Sequence, residues 1–204
     1  MAAEAQAGDS SSFEIPSLEF DFRQSVRGLA DFLEAESPHT LIFPGDSSDI
    51  SRSLCEGAGL LNGKQVVTFP HFDFYGGQYE LRQFVRQYVE KTPEGVVVVD
   101  EFVSTGLKAS VLRNAFLEFG FKKAPIFAFA GNPIHQRTIE RMPNLGVGTF
   151  NKSVYELLCE TAMVVSASRR NPNKPQDVEE RLDRVFLSLR KMAKTSIGTN
   201  LPRI

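Results

Sequence analysis

Four consecutive valines, Val96 to Val99, constrain the fold of this chain more than any other feature of its sequence. A strand with one solvated face alternates apolar and polar residues, whereas a strand covered on both faces is apolar throughout. The valine run therefore predicts a central strand of a parallel sheet that helices cover on both sides. Ligands of such sheets bind beyond the carboxyl ends of the strands, so the residues after Val99 are the first candidates for a site.

The hydrophobic periodicity around this strand predicts an α/β domain with a mainly parallel central sheet flanked by helices. Further strands are predicted at residues 40–43, 65–69, 124–130 and 146–150. Helices are predicted at residues 21–36, 50–58, 78–91 and 153–161, from residue 107, and at residues 177–194. The last of these is an amphipathic C-terminal helix. Residues 1–12 have too few apolar side chains to offset the entropy of ordering, so we expect a disordered tail before a single domain at residues 13–204.

Composition and charge argue against several classes of function. The 204 residues carry a formal net charge of -2, and this chain lacks the basic field of a nucleic-acid-binding protein. Its two cysteines, Cys55 and Cys159, match neither a metal-ligand spacing nor a disulfide framework, which favours a reducing, cytoplasmic setting. The N-terminus has no signal-peptide pattern, and no apolar run reaches transmembrane length. We therefore expect a soluble protein whose partner is neither nucleic acid nor a membrane.

The segment after the valines combines two acids with a turn suited to phosphate. Asp100 and Glu101 come first, and a Ser-Thr-Gly turn at residues 104–106 then leads into a helix. Adjacent carboxylates at the end of a buried strand are costly unless they bind something, and the vicinal hydroxyls of a ribose are one such use. The turn offers hydroxyls and backbone N–H groups at the positive end of a helix dipole, and Lys108 adds a cation. The alternative is that the two acids only cap a helix or line a loop.

The stretch VVVVDEFVSTG resembles the phosphoribosyl pyrophosphate loop of type I phosphoribosyltransferases. The resemblance implies that Asp100 and Glu101 hold the ribose 2′ and 3′ hydroxyls. It implies that the residues wrapping the 5′-phosphate are Phe102, Val103, Ser104, Thr105, Gly106 and Lys108. It also implies Mg²⁺ delivered with the pyrophosphate, a hood over the base and often a homodimer. It assigns neither a catalytic residue nor a protein metal ligand here.

The sequence departs from the family at two positions of this loop. Lys108 stands where a threonine that binds the phosphate is common. Ser104 stands where the purine-salvage branch often has an aspartate that assists proton transfer to the base. A 6-oxopurine acceptor is therefore less expected than another nitrogenous acceptor.

Members of the family usually have a pyrophosphate-binding turn after the first core strand and a mobile loop after the second. Asp46, Ser47 and Ser48 occupy the first place, and residues 71–77 occupy the second. Capping of the next helix explains the first three residues as well as pyrophosphate binding does. No Lys or Arg precedes Arg52 in this turn, which weakens anion binding there.

Three functions remain open at this point. The first is a Mg²⁺-dependent enzyme that transfers ribose 5-phosphate from 5-phosphoribosyl 1-pyrophosphate to a nitrogenous base or amine. The second is a non-catalytic module that senses a nucleotide or another phosphoribosyl ligand. The third is a scaffold that assembles through its terminal helix. No motif identifies the acceptor or the oligomeric state.

Overall fold

The computed structural model of this protein describes residues 16–69, 78–89 and 95–198. Its strands are β1 (Thr40–Pro44), β2 (Gln65–Phe69), β3 (Val96–Val103), β4 (Ile126–Gly131) and β5 (Leu145–Thr149). Its α-helices are α1 (Pro16–Glu36), α2 (Asp49–Gly57), α3 (Gln78–Val89), α4 (Leu107–Glu118), α5 (Gln136–Ile139), α6 (Lys152–Arg170) and α7 (Gln176–Gly198). The predicted tail at residues 1–12 and the predicted mobile loop at residues 71–77 lie outside the described residues.

The strands form one parallel sheet in the order β2-β1-β3-β4-β5. Strand β3 is therefore central, as the valine run predicts, and the parallel α/β architecture with a C-terminal helix is confirmed. From β1 the chain moves outward to β2 and then returns to the other side of β1 to form β3. Strand order reverses at this point, and such a reversal leaves a crevice at the carboxyl ends of the two strands.

The valines of β3 divide between the two faces of the sheet. Val97 and Val99 join the apolar cluster that includes residues of α1, α2, α6 and α7. Val96 and Val98 join the cluster that includes residues of α3 and α4. Both faces of β3 are thus buried, which is the physical reason that this segment has no polar residue before Asp100.

The C-terminal helix is part of this core. Helix α7 packs against α1 and α2, and its Leu182, Leu189 and Ala193 are buried. The contact with α2 is close at Gly57, where an added Cβ would overlap the backbone of Arg190. Among the described helices, none combines the length and apolar character required to cross a membrane.

Strand β3 and helices α1, α6 and α7 extend well beyond their predicted bounds, and one helix lacks a sequence prediction. Helix α1 begins five residues before its predicted start, and α7 ends four residues after its predicted end. Strand β3 continues through Asp100 and Glu101 to Val103, because both acids have buried polar partners. Helix α6 continues nine residues past the predicted end at Thr161, to Arg170. The short helix α5 and the 3-10 turn before it, Pro133–His135, follow β4 without a signal that the sequence analysis used.

Candidate functional site

The two segments singled out in the sequence meet at the reversal of strand order. Strands β1 and β3 are paired neighbours, with Ile42 opposite Val98, so their carboxyl ends lie side by side. The Ser47 hydroxyl, in the turn after β1, donates a hydrogen bond to Glu101 Oε1 of β3, across 54 positions of sequence. Lys108 Nζ, from the first turn of α4, lies 3.5 Å from the carbonyl oxygen of Pro44. The site is therefore assembled from both segments.

Asp100 has a cation as its partner. Its side chain is almost fully buried, and Lys108 Nζ donates to its Oδ1 at 2.9 Å. Burial alone would lower the pKa of Lys108, but the nearby carboxylates of Asp100 and Glu101 outweigh burial and raise this pKa. The ammonium therefore remains charged and balances the buried acid.

Glu101 is more enclosed than its neighbour, with 2% of the residue exposed. Its Oε1 accepts the Ser47 hydrogen bond, whereas Oε2 has no hydrogen-bond partner among the described residues. Burial, followed by repulsion from Asp100, raises the pKa of Glu101 to about 8, although Lys108 and the Ser47 hydrogen bond oppose the shift. Most Glu101 side chains are consequently protonated at neutral pH, and the carboxyl group has a proton to donate.

The loop between β3 and α4 is the phosphate cradle predicted from the sequence. Gly106 lies at the N-cap of α4 with φ +84°, so the N-cap residue has no side chain with which to cap the helix. The backbone angle favours glycine here, and an added Cβ at Gly106 would also overlap Met142 Sδ, so the Met142 side chain would have to move. Thr105 Oγ1 accepts a long hydrogen bond, 3.4 Å, from the Leu107 N–H.

A cavity of about 260 Å³ opens beside this loop. Its lining consists of Asp100, the continuous run of residues 102–109, and three apolar residues of the neighbouring strands, Ile126, Ala128 and Leu145. Asp100 and the whole predicted cradle thus border one space. Glu101, Asp46, Ser47 and Ser48 lie outside this lining. Lys108 reaches from the lining to the Pro44 carbonyl, and Ser47 is bonded to Glu101, the neighbour of Asp100.

Helix α6 anchors the same loop from the other side. The Tyr155 hydroxyl is hydrogen-bonded to Ser104 and accepts from Asn132 Nδ2 at 3.4 Å. The Tyr155 ring meets the edge of Phe102 with 5.7 Å between ring centroids. Neither Tyr155 nor Asn132 could be predicted as a site residue from the sequence, because neither belongs to a motif and both reach the loop only through the fold.

The turn after β1, residues 45–49, is called here the β1 turn. It starts at Gly45, whose φ is +100°. Ser48 stands at the N-cap of α2 but makes no capping hydrogen bond through its side chain, and Ser47 donates to Glu101 instead. Helix capping therefore does not account for these two serines. The amino end of α2 remains without a side-chain cap at the same edge of the sheet as that of α4.

Besides Lys108, two cations reach the β1 turn from the far end of α6. Arg170 Nε lies 2.8 Å from Asp46 Oδ2, and Arg169 forms an ion pair with Asp49. Arg52, the nearest cation in sequence, is bonded to Glu56 at 3.0 Å. Neither arginine could be predicted as a site residue from the sequence. Arg170 is 124 positions from Asp46, and Arg169 is 120 positions from Asp49.

The described residues include no group of three or more His, Cys, Asp or Glu side chains placed to hold a metal ion. Both cysteines are free thiols. Burial raises the pKa of Cys55 strongly and that of Cys159 to a lesser extent, so neither has the character of an activated nucleophile.

No protein-family model and no curated protein matches this sequence. Among solved structures, the chain is similar to a purine phosphoribosyltransferase from Pyrococcus horikoshii Ot3, with a TM-score of 0.40 and 14% sequence identity. The match covers 64% of this chain and 88% of that one. At this level of identity and score, the likeness is one of fold class.

Proposed function

We propose that this protein binds 5-phosphoribosyl 1-pyrophosphate and transfers its ribose 5-phosphate to a nitrogenous base or amine. The observation that carries the proposal is the reach of Lys108 from the first turn of α4 to the Pro44 carbonyl at the start of the β1 turn, with both helix ends left uncapped by the side chains of their N-cap residues. Backbone N–H groups and the positive end of the dipole favour phosphate oxygens at such helix ends. A ligand with phosphate groups on both sides of a sugar matches this arrangement.

In this proposal the 5′-phosphate occupies the cavity beside residues 104–108. The N–H groups at the start of α4 and the Thr105 hydroxyl donate to its oxygens, and Lys108 balances its charge. A phosphate that attracts Lys108 competes with the bond between Lys108 and Asp100. The Asp100 carboxylate would then become free to accept hydrogen bonds from ribose hydroxyls, which is the role that the sequence resemblance implies.

Glu101 has two proposed roles at the site. Its Oε1 holds Ser47 and thereby fixes the β1 turn against β3. Its Oε2, enclosed and without a partner among the described residues, is available to the second ribose hydroxyl if the turn opens on binding. Because the carboxyl is mostly protonated at neutral pH, it can donate as well as accept.

Transfer from this ligand requires little covalent chemistry from side chains. The chain's own residues would hold the ribose and its phosphate in place and keep water from the anomeric carbon. Mg²⁺ is proposed to arrive on the pyrophosphate, since it commonly binds through substrate phosphates, and to neutralise the departing charge.

A sensor of a nucleotide or phosphoribosyl ligand is the second candidate. The hydrogen bonds within the site favour this candidate. In the free protein Asp100 is paired with Lys108, and Ser47 is paired with Glu101, so these groups already have partners. A module that only binds a monophosphate needs the cradle of α4 and can keep the β1 turn closed.

Calorimetric titration with 5-phosphoribosyl 1-pyrophosphate, with and without Mg²⁺, separates the two candidates. The wild type is compared with Asp100→Asn, and Asp177→Asn, an exposed aspartate of α7, is the matched control. Mg²⁺-dependent binding that Asp100→Asn weakens, together with pyrophosphate release in a screen of acceptor bases, supports the enzyme. Binding of nucleoside monophosphates alone supports the sensor. If neither ligand binds the wild type, both candidates are wrong.

A further inference from the structure

The β1 turn lacks the positive charge that a pyrophosphate needs. Its own charged residues are Asp46 and Asp49, and Arg52 is bonded to Glu56 within α2. Lys108 is shared between Asp100 and the Pro44 carbonyl. An anion at this turn therefore requires cations from another element.

The last two residues of α6 bring such cations. Arg170 reaches Asp46, and Arg169 reaches Asp49 at the first position of α2. The side chains of Arg170 and Arg169 are nevertheless 66% and 55% exposed. A guanidinium has five N–H donors, so these ion pairs leave donors available for a second anion.

The two aspartates are held more firmly than the arginines. The side chain of Asp46 is 11% exposed and that of Asp49 is 25% exposed, and both belong to the turn between β1 and α2. Exposed ion pairs contribute little to stability because water screens them and long side chains lose entropy. The two ion pairs therefore matter less for stability than for position. The two carboxylates orient the guanidinium groups at the amino end of α2.

We infer that Arg169 and Arg170 are the anion-binding side chains of the β1 turn and that they take a diphosphate group. This inference rests on the proposed function, since it assigns the second half of the same ligand site. The aspartates hold the arginines in the free protein, and the more highly charged diphosphate engages their remaining donors in bidentate contacts. The α4 cradle then serves the monophosphate end, and the α6 arginines serve the diphosphate end.

Titration with two simple probes tests the inference. Inorganic pyrophosphate and ribose 5-phosphate are each titrated calorimetrically into the wild type, Arg169→Gln/Arg170→Gln and Arg181→Gln. Arg181 is a matched control, because it is an exposed arginine paired with an aspartate on α7. We expect the double variant to bind pyrophosphate about tenfold more weakly or worse. Its affinity for ribose 5-phosphate, and both affinities of Arg181→Gln, should remain unchanged.

Asp46→Asn separates a binding role from a structural one. If Arg170 only holds the β1 turn in place, Asp46→Asn and Arg170→Gln break the same pair and weaken pyrophosphate binding alike. If Arg170 binds the anion, removal of the Asp46 charge strengthens pyrophosphate binding while Arg170→Gln weakens it. Equal weakening by the two variants would overturn the inference.

The outcomes for the two proposals are distinguishable. Arginine-dependent pyrophosphate binding supports the diphosphate subsite even if ribose 5-phosphate does not bind, in which case the α4 cradle is wrong. Binding of ribose 5-phosphate without pyrophosphate leaves the cradle in place and overturns the role of the arginines. Failure of both probes with the wild type overturns both.

Discussion

Lys108 Nζ lies 2.9 Å from Asp100 Oδ1 and 3.5 Å from the carbonyl oxygen of Pro44. One side chain of α4 thus joins the ends of both strands at the reversal of strand order. The ammonium neutralises a buried carboxylate in the free protein, and in the proposed function it also attracts the phosphate in the α4 cradle. Under that proposal, one side chain would serve both the stability of the fold and ligand binding.

Replacement of this lysine should destabilise the fold. In Lys108→Met, Asp100 remains buried without its counter-charge, and breaking a buried ion pair in this way costs about 3–5 kcal/mol. Because the Lys108 side chain is 29% exposed, we expect the lower end of that range or somewhat less, about 2–3 kcal/mol in the free energy of unfolding. Urea denaturation at pH 7 measures it. Lys152→Met, at an exposed lysine of α6, is the control and should change stability little.

The double variant Asp100→Asn/Lys108→Met identifies the cause of this loss. If the unpaired carboxylate is responsible, the second substitution restores part of the stability that Lys108→Met removes. Additive losses in the two single variants would instead mean that the two side chains stabilise the fold independently.

Glu101 should give the protein a characteristic pH dependence. The folded protein raises the pKa of this carboxyl from 4.5 to about 8, so the folded state holds the proton more tightly than the unfolded state. Its contribution to stability is complete below pH 4.5 and is lost as the pH rises through about 8. Glu101→Gln has no proton to lose, and its free energy of unfolding should fall less than that of the wild type between pH 5 and pH 9.

Denaturation curves at several pH values compare Glu101→Gln with the wild type and with Glu118→Gln, an exposed position of α4. The free energy of unfolding of Glu101→Gln, relative to that of the wild type, should increase as the pH rises. Each pH unit in which only the folded state holds the proton contributes on the order of 1.4 kcal/mol. A difference that does not change with pH would show that Glu101 is already ionised in the folded protein.

The sequence was sufficient for the architecture because its strongest signal has only one physical interpretation. Four adjacent valines cannot place alternate residues in water, so a doubly covered parallel strand follows. The Ser-Thr-Gly turn follows the strand as predicted, whereas Asp100 and Glu101, predicted to come after the strand, lie within its last residues. Whether they bind a phosphoribosyl ligand stays a prediction, since the arrangement of the free protein does not test it.

The remaining parts of the site depend on tertiary packing. Helix α6 was predicted to end at Thr161, but burial of Ala162, Val165 and Ser168 extends it to Arg170, across the valines and serines that interrupt the stronger helix formers of this segment. Only this extension brings Arg169 and Arg170 to the β1 turn. The hydrophobic periodicity of a segment indicates which of its own side chains share a face. It cannot indicate the ion pairs of Arg169 and Arg170, whose aspartate partners are more than a hundred positions away.

Replacement of Gly106 by alanine should destabilise the fold through its backbone angle and through contact with Met142. The chain offers a control that separates these two causes. Gly106 and Gly120 have φ values of +84° and +93°, but an added Cβ meets Met142 at the former and nothing within 4 Å at the latter. Gly120→Ala should cost about 1 kcal/mol from the backbone angle alone. Gly106→Ala should cost somewhat more and should also weaken phosphate binding, because either the Met142 side chain or the start of α4 must move to make room for the added methyl group. Urea denaturation and titration with ribose 5-phosphate measure the two effects, and Gly106→Ala/Met142→Ala should recover the steric part of the loss. Equal losses of stability in the two single variants would mean that Met142 moves aside freely and that the cradle is not held against it.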